Sequence, residues 1–192
     1  MSNTRKSIYQ GRLVQLDLDR VTLPNGETLE LEIVRHPGGA AAVALNDDGH
    51  VCLLRQYRHA SGGWLWELPA GKLDPGEAPQ ATAQRELQEE AGVQAARWHA
   101  LGDIIVTPGF CDETIYLYLA RELTWVTAQP EQHEVIEIHW IPFEQALAWV
   151  HDGTLRDAKT MLGLSLAARL RAPELFFPAL DARDYQQVGV IR

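Results

Sequence analysis

Long apolar runs are missing from this chain. No stretch approaches the eighteen or so consecutive hydrophobic residues that a membrane span requires, so no spanning helix is expected. Positive charge is also in short supply: 17 Lys and Arg face 26 Asp and Glu, for a net charge of −9. That balance argues against binding a nucleic-acid backbone, which needs a basic stripe. Cysteine is scarce. Cys52 and Cys111 form no CxxC and no ligand cluster, and read as small buried hydrophobes in a reducing compartment. The opening "MSNTRKSIYQGRLVQLDL" has no long apolar core behind its basic residues, so no secretory signal is evident and a cytoplasmic protein is expected. Internal repeats and low-complexity segments are absent too. What remains is an ordinary globular composition, 46 % hydrophobic and 8 % aromatic over 192 residues, enough for one domain with a real core and a small appendage.

The pattern along the chain mixes strands and helices. Residues 8–35 alternate as antiparallel strands, with Asn25-Gly26 suited to a tight hairpin turn. "AAAVALNDDGHVCLLRQYR" reads as two buried strands joined at Asp-Asp-Gly, and "WLWELPAG" as a short strand running into a Pro/Gly loop. A helix follows from Ala78 to Ala91, then strands near 97–106 and 114–121, the polar loop "TAQPEQHE" and the strand "VIEIHWI". "PFEQALAWVHDG" and "RDAKTMLGLSLAARLRA" carry helical periodicity, while "PELFFPAL" either covers apolar surface or forms a packed tail. Helices inserted between strands predict α+β or α/β packing around a mixed sheet.

The Ala78–Ala91 helix crowds Glu86, Glu89 and Glu90 onto one broad arc, where like charges one turn apart repel. Ala83, Leu87 and Ala91 form the neighbouring apolar stripe, which seats those carboxylates beside a core. Upstream, Gly71, Asp74-Pro75-Gly76 and Glu77 form a loop able to bring another carboxylate and backbone carbonyls to the helix. Hard oxygen donors at this density suit Mg²⁺, with Mn²⁺ as a substitute, held partly through water and substrate phosphates. Bound metal would also let an acidic protein take an anionic ligand. Three glutamates on a helix alone read more readily as a solvated face.

The wider spacing decides between those readings. Gly71, five residues, Glu77, seven residues, then Arg85-Glu86-Leu87-Gln88-Glu89-Glu90-Ala91-Gly92-Val93 matches the Nudix box at every fixed position. Chance gives such a match with a frequency on the order of 10⁻⁷ at ordinary residue usage. The sequence resembles the Nudix hydrolases. The resemblance implies an α/β fold, an α/β/α sandwich with a mixed central sheet, preceded here by a small N-terminal antiparallel β segment. It also implies hydrolysis of a nucleoside diphosphate linked to another group. By the family pattern Glu86 and Glu90 bind metal, Glu89 is a further ligand with a part in catalysis, the Ala70 carbonyl lies close by, Arg85 orients the glutamates and Glu77 supports the loop.

Residues outside the box bear on the substrate. Pro108 lies sixteen positions after Gly92 in "TPGFCDETIYLYLA". With "RQYRHA", "WELPAGKLDPGE" and "VRHPG", this is similar to the ADP-ribose pyrophosphatase subfamily over residues 8–170. The resemblance makes Arg58 and Arg35 candidates for the phosphates or the adenine site, and Glu67 and Pro108 candidates for substrate contact. Phe110, Asp112 and Glu113 sit in a loop able to close over the terminal ribose. The subfamily takes its catalytic base from a loop well beyond the box, where Glu131, Glu134 and Glu137 stand open. Glu134, at the loop end, is the first choice; Glu137 falls inside a strand, and His133 is a lesser candidate.

The resemblance also implies two units: residues 1–38 as an N-terminal β-hairpin segment exchanged across a homodimer, and residues 39–192 as the Nudix domain. Residues 27–35 contain no aromatic to stack on adenine, which departs from the subfamily and keeps GDP-mannose or another nucleoside diphosphate sugar as the alternative substrate. A catalytically silent ligand sensor would have lost box glutamates or gained a nucleic-acid-binding domain. Isopentenyl diphosphate isomerisation would need a Cys/Glu pair, for which Cys111 is the one conceivable partner. An NADH pyrophosphatase would carry an upstream CxxC pair, and a cap hydrolase a basic stretch.

Overall fold

A computed structural model describes residues 4–130 and 134–171. The expectations for "PELFFPAL", Glu131 and His133 lie outside the described residues.

The chain opens with an antiparallel meander of β1 (Thr4–Gln10), β2 (Gln15–Thr22) and β3 (Thr28–Arg35). Strand β1 begins four residues before the segment whose alternation marked it, because its polar residues on an exposed strand leave no hydrophobic period to read. The β2–β3 turn also differs from a two-residue hairpin. Gly26 N–H donates to Leu23 O at 2.9 Å, with Pro24 in the second position of the turn, and only Gly26 takes a positive φ, +87°. Proline fixes its own φ near −65° and so selects this longer connection.

Two further sheets follow. A mixed sheet has the order β7 (Ala70–Lys72), β4 (Gly39–Ala44), β9 (Thr114–Trp125), β8 (Val93–Ile105), in which β4 and β9 run parallel and the other pairs antiparallel. The second, antiparallel throughout, is β10 (Ile136–Pro142), β5 (His50–Arg58), β6 (Gly63–Glu67). The two strands read from "AAAVALNDDGHVCLLRQYR" therefore enter different sheets, linked where they part by a bridge between Leu45 and Val51.

Helices cover both faces. On β4, Ala41 and Val43 point into a cluster with Leu164, Ala167 and Ala168 of α3 (Ala158–Arg171). Ala42 and Ala44 point the other way, toward Leu87 and Ala91 of α1 (Pro79–Ala91). Alternation of side chains across a strand, with a helix on each side, requires small residues throughout, and every residue of "GAAAVA" is buried. On β5, Val51 and Leu53 join the first cluster, Cys52 and Leu54 the second. Helix α2 (Phe143–Asp152) closes the first cluster with Phe143 and Ala146. Helix α1 begins with Pro79 and ends at Gly92 in the left-handed conformation, φ +65°, with its N–H on Gln88 O at 3.1 Å.

Candidate active site

Helix α1 buries Ala83, Leu87 and Ala91 against the sheet, and this rotation carries Glu86 and Glu90 partly into the interior, at 8 % and 2 % exposure. Burial of a carboxylate without a full set of partners disfavours its charged form. Desolvation accordingly pushes Glu90 up to about 8, with Glu86 and Glu134 adding repulsion and the Ala70 N–H, 2.8 Å from Glu90 Oε2, opposing it. Glu86 is raised as well, first by burial, against the pull of Arg85. Its approach depends on Gly71: a Cβ there would lie 2.0 Å from Glu86 Oε1.

Arg85 ties the box together. Its Nε and Nη2 donate to the two oxygens of Glu77 at 3.1 and 3.0 Å, while Nη1 donates to Glu86 Oε1 at 2.6 Å and Glu89 Oε2 at 3.1 Å. Hydrogen bonding to Glu77 is the largest influence holding Arg85 protonated. The same fork, with the Thr82 hydroxyl and the Asp74 N–H, holds Glu77 well below its ordinary value, at about 2. Glu77 therefore anchors the loop before the helix, and Arg85 spans from that anchor to two repelling glutamates.

These side chains open onto a cavity of about 540 Å³. Of the residues marked by the sequence, Arg58, Glu67, Ala70, Gly71, Asp74, Arg85, Glu86, Glu89, Glu90, Glu113 and Glu134 line it. Arg58 grips Glu67 side-on, Nε to Oε1 at 2.8 Å and Nη2 to Oε2 at 2.9 Å. Arg35, Pro108, Phe110 and Glu137 stand elsewhere. Arg35 bonds Asp17 at 3.2 Å, Asp112 at 3.2 Å and Asp19, tying the N-terminal sheet to the 107–113 loop. Pro108 and Phe110 belong to that loop and do not line the cavity, and Phe110 is half exposed. Glu137 pairs with Arg55 at 3.2 Å on the antiparallel sheet. Asp157 and Lys159, at the start of α3, line the cavity without having been marked. No spacing in "RDAKT" signals them, because their partner Glu67 lies 92 residues away from Lys159 in sequence.

Among the described residues no three acidic, histidine or cysteine side chains converge closely enough to hold a metal ion by themselves. The donor chemistry nonetheless fits a divalent cation that keeps water ligands. Among the described residues, eight carboxylates line the cavity against four lysines and arginines, Arg58, Lys72, Arg85 and Lys159, and each of the four is already paired with an acid. Glu86, Glu89 and Glu90 would hold the cation.

Comparison with known proteins bears on the family. The model of the NUDIX domain matches residues 35–162. The chain belongs to the Nudix family. This Nudix hydrolase is 39 % identical over 162 residues to an ADP-ribose pyrophosphatase of Mycobacterium tuberculosis, covering 83 % of this chain and 78 % of the relative. It is 37 % identical over 161 residues to a methanol dehydrogenase activator of Bacillus methanolicus, covering 83 % and 87 %. Among solved structures it matches an ADP compounds hydrolase with a TM-score of 0.77 over 91 % of this chain and 96 % of the other; at 20 % identity that likeness concerns the fold. Nudix hydrolases are in general dependent on a divalent metal. Among the described residues no helix is long and apolar enough to cross a membrane.

Proposed function

We propose that this Nudix hydrolase cleaves the pyrophosphate of ADP-ribose to AMP and ribose 5-phosphate, using Mg²⁺, with Mn²⁺ as a substitute. The observation that carries this reading is the charge balance of the cavity: among the described residues, eight carboxylates, with Arg58, Lys72, Arg85 and Lys159 each already paired with an acid, leave a dianionic substrate no welcome unless a cation enters too. The cation supplies neutralisation of the pyrophosphate and acidification of bound water. Glu134 lines the same cavity near Glu86 and Glu90, close enough to raise both, and takes the proton of the attacking water. The water oxygen bonds one phosphorus, the bridging P–O bond breaks, and the bridging oxygen leaves on the other phosphate. Arg85 keeps Glu86 and Glu89 in position, and Arg58, clamped by Glu67, meets the phosphates with the remaining edge of its fork.

We further read residues 1–38 as a dimer-forming segment and 39–192 as the Nudix domain of a cytoplasmic homodimer. Support comes from Ile8, Tyr9, Leu13 and Leu29, all large apolar residues more than a third exposed on the N-terminal sheet and its connection. In that arrangement Pro108 and Phe110 stay assigned to the substrate loop, and Arg35 to its support. A second substrate reading, GDP-mannose, is favoured by the absence of any aromatic from β3.

Chromatographic product analysis tests these together. Purified protein with Mg²⁺ is incubated separately with ADP-ribose, GDP-mannose, NADH and ADP-glucose, alongside Glu90→Gln. AMP and ribose 5-phosphate forming fastest from ADP-ribose, and falling at least a hundredfold in the variant, is the expected outcome. Fastest turnover of GDP-mannose would replace the substrate while keeping the chemistry. Undiminished turnover by Glu90→Gln would overturn the site.

A further inference from the structure

The start of α3 meets the cavity through a chain of contacts that the box does not explain. Asp157 caps the helix, accepting the Thr160 N–H at 3.0 Å. Thr160 Oγ1 donates to the same carboxylate at 2.5 Å and accepts the Leu68 N–H at 2.9 Å. One residue earlier, Lys159 Nζ donates to Glu67 Oε2 at 2.5 Å and to Asp157 at 2.9 Å. Successive residues of α3 therefore fix Glu67 and Leu68, and two positions on the Ala70 N–H holds Glu90.

Glu67 is the hub. Its side chain is 3 % exposed, and it receives the Arg58 fork and the Lys159 ammonium together. A carboxylate so deeply buried needs that much compensation to remain charged. The pairing with Arg58 uses Nε and Nη2, which leaves the Nη1 edge outside the ion pair on a residue that lines the cavity. Arg58 is itself 42 % exposed, so without a fixed counter-charge its long side chain has many rotamers to visit.

We propose that Lys159 is a positioning residue for substrate binding: it locks Glu67, which in turn aims the Arg58 guanidinium at an anionic oxygen of the diphosphate. This deepens the hydrolase reading and rests on it. Lys159 is 11 % exposed and touches no reacting atom in the scheme; its effect passes through Glu67 and Arg58. An interaction made equally in ground and transition states moves KM rather than kcat.

The test measures kcat and KM for ADP-ribose in wild type, Lys159→Met, Lys159→Arg, Arg58→Ala and the Lys159→Met/Arg58→Ala double variant. Alongside, ¹⁵N spectra of labelled arginine follow the Arg58 Nε–H without any substrate. Loss of one charge-assisted hydrogen bond at the hub predicts a KM raised about tenfold in Lys159→Met, with kcat within about threefold. Lys159→Arg recovers part of the loss, and Lys159→Met adds nothing once Arg58 is gone. The Arg58 Nε–H signal, dispersed and slow to exchange in wild type, becomes averaged in Lys159→Met. Equal losses in kcat and KM, multiplying effects in the double variant, or an unchanged Nε–H signal would overturn the proposal. Should Lys159→Met not fold, Lys159→Gln carries the same expectations. If wild type turns over no nucleoside diphosphate sugar, the hydrolase reading fails, and the Nε–H signal still decides the relay on its own.

Discussion

Replacing Gly71 by alanine separates site geometry from stability. The new Cβ would stand 2.0 Å from Glu86 Oε1 and 2.1 Å from its carboxyl carbon, where ordinary contact begins near 3.4 Å. Something must move by more than about 1 Å, and the carboxyl end of a flexible side chain moves most cheaply. The backbone at Gly71 is ordinary extended strand paired with Ala40, so the alanine itself brings no conformational strain. Glu86 therefore swings away and gives up the 2.6 Å bond from Arg85. Losing a charged hydrogen bond costs about 1.5–3 kcal/mol, partly offset as Glu86 regains water. The net fall in stability is then no more than about 2 kcal/mol, or roughly 4–8 °C in Tm for a chain of this size. Activity suffers far more on the proposed mechanism, where Glu86 would hold the cation and a misplacement of about 1 Å costs on the order of a hundredfold. Steady-state kinetics and a thermal melt on the same preparation check both. A Gly71→Ala protein within threefold of wild-type kcat/KM would refute the reasoning, as would one that fails to fold.

Two other substitutions give contrasting outcomes. Gly92→Ala forces alanine into φ +65° with its Cβ 2.9 Å from the Val126 carbonyl, so backbone rather than a side-chain tip must yield. About 1–2 kcal/mol for the left-handed conformation, plus the clash, should lower Tm by several degrees or more while kcat at 20–25 °C stays within about threefold. Glu77→Gln tests the loop anchor through pH. Because the folded carboxyl titrates at about 2, below its unfolded value, its contribution is fully present above about pH 4.5 and disappears as pH falls toward 2. Wild type should exceed Glu77→Gln by about 1 kcal/mol at pH 6, after allowance for solvent screening, and the two melting curves should converge near pH 2. A constant gap across that range would show that the charge on Glu77 is not what matters.

The sequence made the α1 end of the site readable because its logic is local. Seven fixed positions between Gly71 and Gly92 place four carboxylates and an arginine within one loop and one helix, and the alternating runs marked nearly every strand and helix. The polar β1 strand escaped for lack of a hydrophobic period, and proline overrode the hairpin signal of Asn25-Gly26. Arg35 shows the other limit. Nothing near it in sequence says that Asp17 and Asp112, 18 and 77 residues away, will occupy its guanidinium. Lys159 was missed for the same reason: an ion pair across 92 residues leaves no mark on spacing.

Arg85 reconciles the acidic cavity with folding in the absence of a ligand. Helix propensity alone cannot hold Glu86, Glu89 and Glu90 on one arc, since each like-charged pair a turn apart costs a few tenths of a kcal/mol and burial adds more. The guanidinium is anchored by Glu77 through two bonds while its Nη1 reaches Glu86 and Glu89, so one fixed positive charge screens the two carboxylates. A lysine here would be a single mobile charge, unable to grip Glu77 and reach two further acids together. Glu90 has no hydrogen bond from this guanidinium; burial pushes its carboxyl up, against the Ala70 N–H and the more distant charge of Arg58.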